Sequence, residues 1–469
     1  MRPPIQRTLY VLFLVTSSSC AHEVPQGQLY YERKIQPLLT SFCASATSGC
    51  HAADPADPFQ FAAGNLDLTS FEKVHKRPDV LRAYGAYPVP LLLIKAAGPT
   101  GTGALSIRYR ARFLPNEIPH AGGGLLPPEG DAFRELETWL ENGATRDGVR
   151  PPSPPVLGTG GCTTAIPPDF DPASVTSTPA WADGAADFDQ VQEILARKGC
   201  TQSNCHGAPQ ADFYVTCGQD EAQKVFNFNQ VRAFVDAPVD NSEILQRPLS
   251  TSAGGVPHQG GAHWSSSSDA DYLVVRTWAD KVKSIDFGAG DPARQFFAEH
   301  VQPLLIRRGC AAEGCHSPAA MNDFKLRAGT QGFFSAIALE RNYDLARREF
   351  LAFEVPDVRR GRLLAKNILA AHGGIRHRGG PLLETPGAGG ARPSACPAGY
   401  VDDPESAPAP AYCTLAEWAR IERQALGDPN AVPGTIPIVY VERAPGAATL
   451  LEFAVFDGSA DLRDRKSVV

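Results

Sequence analysis

The sequence Cys200-Thr201-Gln202-Ser203-Asn204-Cys205-His206 places two cysteines and a histidine in one short stretch. The same order of residues occurs twice more in the chain, at Cys43 with Cys50-His51 and at Cys310 with Cys315-His316. Four residues separate the cysteines in the second and third copies, whereas six separate them in the first. A motif that occurs three times indicates an internal repeat, so the chain is best understood as three versions of one unit.

Similar residues surround each motif. Before the cysteines, an aromatic residue opens a stretch with apolar residues at helical spacing; these aromatic residues are Tyr31, Phe188 and Phe297. After the cysteines, a His-x-Gly-Gly sequence begins at His120, His258 and His377. A predicted amphipathic helix with a tryptophan, Trp139, Trp278 or Trp418, closes each copy. We therefore divide the chain into a first copy at 24–150, a Pro-rich linker at 151–186, a second copy at 187–286 and a third copy at 290–428.

Composition sets limits on the class of protein. The 469 residues include 43 Gly and 41 Pro, which predicts short helices joined by long loops. The hydrophobic fraction of 43% is enough for each copy to bury a core. The net charge of −7, without any Lys/Arg-rich run, argues against nucleic acid as a partner.

Residues 1–20 are typical of an export signal. Two arginines precede a short apolar run, Leu9 to Val15, which is too short to span a bilayer. The residues before Cys20 resemble a bacterial lipobox, although Ser17 stands where leucine is usual. We expect an exported protein, periplasmic or a lipoprotein of the outer membrane or cell surface, with Cys20 as the candidate lipid acceptor and membrane tether. The alternative is ordinary cleavage nearby.

A cysteine pair followed directly by histidine is the arrangement that attaches haem covalently, with the histidine reaching the iron. The three copies resemble the c-type cytochromes, more closely the bacterial modules in which an aromatic residue and an Ile/Val-x-Pro-Leu-Leu sequence precede the cysteines. The resemblance implies a mainly α fold of three helical haem modules with long loops. It also implies three covalent haem c groups, attached through Cys43, Cys50, Cys200, Cys205, Cys310 and Cys315. In this family two residues usually lie between the two cysteines, and four is a variant. The six residues between Cys43 and Cys50 make the first site the most divergent.

The resemblance also implies iron ligands on both sides of each haem. The adjacent histidines, His51, His206 and His316, are the expected proximal ligands. Single-haem relatives commonly use methionine as the second ligand, but the chain contains only Met1 and Met321. His120, His258 and His377 occupy the place of that methionine and are the expected distal ligands, with His372 a weaker rival of His377. The implied function is electron transfer between redox partner proteins of the cell envelope.

Two other interpretations of these residues remain open. One haem, most plausibly the first, would act as an enzyme site if it lacked its distal ligand. Alternatively, the cysteines and histidines would form zinc sites or local disulfides in a surface lipoprotein without haem. Four further cysteines are expected to form two disulfides in an oxidising compartment, Cys162 with Cys217 and Cys396 with Cys413.

The C-terminal part has a different pattern. Residues 437–443 and 449–456 each predict a β-strand, with turn residues between them. This segment, at 434–463, resembles the opening of a β-propeller-type domain such as follows the haem modules of the hydrazine synthase alpha subunit. Residues 464–469 match the translation of a common sequencing adapter. We expect the natural protein to continue beyond this β segment.

Overall fold

The computed structural model of the chain is mainly helical, as the sequence predicts. It describes residues 29–44, 50–53, 62–109, 120, 122–151, 154–330, 332–353, 357–384, 396–403, 409–425, 438–442 and 452–456. The predicted export signal, Cys20 and residues 464–469 lie outside these ranges. Within them, no helix combines the length and the apolar character needed to cross a membrane.

The three copies contain most of the helices. The α-helices of the first copy are Gln36–Phe42, Phe71–Val74, Leu91–Tyr109 and Asp131–Glu141. From the linker through the second copy they are Pro172–Thr176, Pro179–Arg197, Glu221–Arg232, Glu243–Gln246 and Ala270–Val282. Those of the third copy are Pro292–Phe296, Gln302–Arg307, Glu313–His316, Ala336–Leu345, Arg362–Ala365 and Tyr412–Ala425. Short 3-10 helices lie at Ala63–Asn65, Pro78–Val80, Val239–Asn241, Thr251–Ala253, Val358–Arg360 and Ala370–His372.

A proline changes the helix before the cysteines in two of the copies. The first and third copies contain a wider π turn, Tyr31–Ile35 and Phe297–Val301, directly before a Gln-Pro sequence. Proline has no N–H, and its ring clashes with the carbonyl four residues earlier, which the wider turn relieves. The second copy has Glu193 at the corresponding position, and its helix Pro179–Arg197 is α-helical throughout. A further π turn, Ala346–Phe350, follows Ala336–Leu345.

Each copy has its own apolar cluster. In all three, the tryptophan of the closing helix packs against the aromatic residue of the first helix. The ring centroids are 5.4 Å apart for Tyr31 and Trp139, 5.2 Å for Phe188 and Trp278, and 5.0 Å for Phe297 and Trp418. All three tryptophans are fully buried, so they belong to the cores of their copies.

Both expected disulfides are present. Cys162 pairs with Cys217 and ties the linker to the second copy, and Cys396 pairs with Cys413 within the third. The backbone supports the first bridge, because the Cys217 N–H donates to the Thr163 carbonyl at 2.8 Å. The six motif cysteines, in contrast, are unbridged.

Removing the Cys162–Cys217 bridge is expected to destabilise the protein more than removing Cys396–Cys413. The bridges close loops with sequence separations of 55 and 17 residues. A longer loop restricts the unfolded chain more, which gives about 4 kcal/mol for the first bridge and about 3 kcal/mol for the second. Matched double alanine variants compared by urea unfolding test this order. Equal losses, or a greater loss for the second pair, would contradict it.

The predicted hairpin is also observed. Strands Ile438–Glu442 and Glu452–Phe456 pair antiparallel, with Ile438 opposite Phe456 and Glu442 opposite Glu452. The further domain that this hairpin was expected to open remains a prediction.

Candidate functional site

The cysteine-histidine loop closes in the same way in all three copies. The backbone N–H of the histidine donates to the carbonyl of the first cysteine, over 3.1 Å from His51 to Cys43, 3.0 Å from His206 to Cys200 and 3.1 Å from His316 to Cys310. Six residues separate the two cysteines of the loop in the first copy, and four separate them in the others. The longer loop of the first copy therefore ends in the same backbone arrangement as the shorter loops.

The segment that follows each motif holds the histidine from two sides. Its backbone N–H groups donate to the histidine carbonyl, from Leu68 to His51, from Val215 to His206 and from Leu326 to His316. Two residues earlier, carbonyl groups contact the imidazole Nδ1 atoms, those of Leu66 at 3.2 Å, Phe213 at 3.1 Å and Phe324 at 2.9 Å. A carbonyl can only accept, so each Nδ1 carries the proton and each Nε2 keeps a lone pair for a metal.

The His-x-Gly-Gly loops orient the second set of histidines by a shared turn. Each imidazole Nδ1 contacts the carbonyl of the second glycine, at 2.7 Å for His120, 3.3 Å for His258 and 3.0 Å for His377. That glycine has a positive φ in each copy, 69° at Gly123, 72° at Gly261 and 81° at Gly380. The turn thus requires glycine, and it leaves Nε2 available here as well.

The structure brings the two sets of histidines together pairwise. The ring centroids are 6.1 Å apart for His51 and His120, 6.1 Å for His206 and His258, and 6.0 Å for His316 and His377. The angles between ring planes are 15°, 2° and 22°. Two metal–imidazole bonds of about 2.0–2.1 Å, added to the distance from each ring centre to its own nitrogen, account for this separation. Each pair therefore has room for one metal atom between its rings.

Burial shifts the pKa of four of the paired histidines downward and that of three motif cysteines upward. It lowers the pKa of His206 to about 4 and also lowers the pKa of His51, His258 and His316. Burial raises the pKa of Cys43 and Cys200 to about 11 and that of Cys310 to about 12. At these residues burial favours the uncharged forms, the neutral imidazole and the protonated thiol.

In the described part of the chain, no group of three or more His, Cys, Asp or Glu residues is arranged to hold a metal ion. A structural zinc site draws four protein ligands into one tetrahedron. The paired histidines bring two imidazoles together in each copy.

The second pair borders a cavity of about 320 Å³. Its wall is largely apolar and includes Cys200, Phe213, Phe234 and Trp264 together with the two histidines. The indole N–H of Trp264 is buried and has no hydrogen-bond partner in the described structure. Trp264 was not among the residues predicted from the sequence. An alignment of the copies identifies it as a difference between them, because the first and third copies have leucine at this position, Leu126 and Leu383.

The rival histidine of the third copy has another partner. His372 contacts the carboxylate of Glu384, which is itself buried. The other oxygen of that carboxylate accepts a bond from the Leu369 N–H at 2.5 Å. His377, not His372, lies opposite His316.

Comparison with known proteins yields no relative: no family model, no curated protein and no solved structure matches the chain. The geometry of the three histidine pairs is therefore the basis for assigning a function.

Proposed function

We propose that this protein is an exported electron-transfer protein that binds three haem c groups. The observation that carries the proposal is the threefold occurrence of one arrangement. In each copy an unbridged cysteine pair lies next to a histidine that is paired with a second histidine, with ring centres 6.0–6.1 Å apart. Two thiols suit the two vinyl groups of a haem, and two opposed imidazoles suit the two free positions of its iron.

In this proposal each copy holds its haem with residues of its own. The attachment cysteines are Cys43 and Cys50, Cys200 and Cys205, and Cys310 and Cys315, and the iron ligands are His51 with His120, His206 with His258, and His316 with His377. When bound, the haem supplies an iron that changes its charge by one electron. The chain fixes both imidazoles through carbonyl bonds, and apolar residues such as Phe213 and Phe234 keep water from the second site.

Histidine on both sides of each site favours electron transfer over catalysis. A substrate would need a free position at the iron, whereas each described site pairs two histidines. Two imidazoles also set a lower reduction potential than a histidine and a methionine would. The two disulfides support export, because disulfides form and persist in oxidising compartments. Redox proteins of the cell envelope are the corresponding partners.

The test is to count covalent haem after expression with a cytochrome c maturation system. We expect three haems per chain by pyridine haemochrome assay, and a low-spin six-coordinate electron paramagnetic resonance signal from all three. A variant that lacks the Cys162–Cys217 bridge controls for the loss of cysteines outside the three motifs, and it should keep three haems. A chain without covalent haem would refute the proposal, and a dominant high-spin signal would favour the enzyme alternative.

A further inference from the structure

The loop of the third motif lies directly against the first copy. Gly314, within the third motif, faces the carboxylate of Asp79, and a side chain at position 314 would collide with that carboxylate. Arg77 holds the same carboxylate through two hydrogen bonds of 2.8 Å and 2.6 Å. Glycine at position 314 thus permits a close approach between the attachment loop of one copy and a fixed ion pair of another.

Two further contacts extend this interface. The Arg82 Nε of the first copy donates to the Glu313 carboxylate of the third copy at 2.8 Å. The Tyr87 hydroxyl donates to the Ile306 carbonyl at 3.0 Å, and the Tyr87 side chain belongs to the apolar core of the third copy. The first and third copies therefore share buried as well as charged contacts.

Lys95, on the helix Leu91–Tyr109 of the first copy, interacts electrostatically with groups of both the first and the third sites. Burial lowers the pKa of its ammonium group, and the sulfur of Cys315 opposes that shift. The same ammonium group also contributes to the lowering of the His51 pKa, a shift caused mainly by burial. One side chain of the first copy thus interacts with a histidine of the first site and a cysteine of the third.

The third copy also contacts the second site. Arg327 binds the Asp212 carboxylate through two hydrogen bonds of 2.7 Å and 2.9 Å. Asp212 directly precedes Phe213, whose carbonyl holds the imidazole of His206. The third copy supplies five residues to the cavity beside the second histidine pair, whereas the first copy supplies one, Tyr84; the five are Pro318, Arg327, Ala328, Ile337 and Ala338. Pro318 follows the ligand His316 by two residues, which places the third motif next to the second site.

We infer that the three sites are arranged in space in the order first, third, second, so that the third site is the junction between the other two. The inference rests on the proposed function and adds the route that electrons take. Because electron transfer slows steeply with distance, electrons pass between the first and second sites by way of the third. The order in space thus differs from the order in the sequence.

The redox interaction between two haems is the change in the potential of one when the other is reduced, and its size for each pair tests this order. In the holoprotein, the haem methyl signals are followed by nuclear magnetic resonance through stepwise reduction, and each haem is assigned with the variants His120→Met, His258→Met and His377→Met. We expect the first–third and second–third interactions to exceed the first–second interaction. If three haems are bound but the three interactions are equal, or the first–second interaction is the largest, the order is wrong. Absence of covalent haem would instead refute the proposed function and the order together.

A charge reversal tests the interface separately. Arg82→Glu places two carboxylates opposite each other between the first and third copies. Like charges facing each other across an interface repel, so we expect the first–third interaction to fall about twofold. Arg197→Glu is the matched control, because Arg197 binds Asp271 in the same way within the second copy. An unchanged first–third interaction in Arg82→Glu, or an equal fall in Arg197→Glu, would overturn the assigned contact.

Discussion

Under the proposed function, replacing His258 by alanine is expected to convert one of three irons from low spin to high spin while all three haems remain attached. Attachment depends on the cysteine pair, whereas six-coordination depends on the imidazole opposite His206, 6.1 Å away between ring centroids. The spin state is read from the electron paramagnetic resonance spectrum and the haem count from the pyridine haemochrome assay. His258→Met should restore six-coordination and raise the potential of that haem, because a thioether ligand raises it.

His263 provides the matched control for this experiment. It lines the same cavity five residues further along the chain, and burial lowers its pKa in the same way. We expect His263→Ala to leave all three irons low spin.

The third copy offers a second comparison, because His377 lies opposite His316 while His372 binds Glu384. His377→Ala should change the spin state and His372→Ala should not. The reverse result in either copy would refute the assigned ligand.

Replacing Trp278 by alanine is expected to have the largest effect on stability, a loss of about 3–5 kcal/mol. The side chain is fully buried and contacts Phe188 and Phe228, at centroid distances of 5.2 Å and 5.4 Å. Truncation removes these contacts and leaves a cavity between the closing helix and the first helix of the second copy. Chemical unfolding, followed by the circular dichroism of the holoprotein, measures the loss.

An exposed residue of the same helix serves as the control. Leu273 is 46% exposed, and Leu273→Ala should change the free energy of unfolding by less than about 0.5 kcal/mol. Similar losses for the two variants would show that the tryptophan does not anchor the core of its copy.

The sequence predicted the parts of the structure that repeat locally. The recurrence of Cys-His and of His-x-Gly-Gly identified the residues that the structure brings together in pairs, because each residue is held by backbone groups close to it in sequence. The apolar spacing around Trp139, Trp278 and Trp418 predicted the closing helices for the same reason. The disulfide partners followed from counting the cysteines that remained.

The roles of the glycines after the distal histidines were only partly predicted. The repeat identified them as part of the motif but did not assign them a role. The first glycine packs against the imidazole of its own histidine, where a Cβ at Gly260 would come within 2.7 Å of the His258 ring. The second glycine serves the positive φ of the turn. The presence of glycine indicates a tight turn or close packing, but it does not show that the packed group is the imidazole of the same motif.

Contacts between the copies could not be predicted from the sequence. Gly314 and Asp79, or Arg327 and Asp212, are far apart along the chain and follow no periodic pattern. Such contacts depend on how whole modules dock, which local spacing does not encode. The buried indole N–H of Trp264 was missed for a related reason, since a tryptophan outside the closing helix has no helical spacing to identify it.

The hydrogen bond from His51 to Cys43 has a consequence for recognising such sites in other genomes. It closes a loop with six residues between the cysteines as it closes loops with four in the other copies. A search that demands the usual two residues between the cysteines would pass over all three. A search for cysteine, a variable gap, cysteine-histidine and a later His-x-Gly-Gly would find them, because loop length can vary during evolution while the two ends of the loop stay joined.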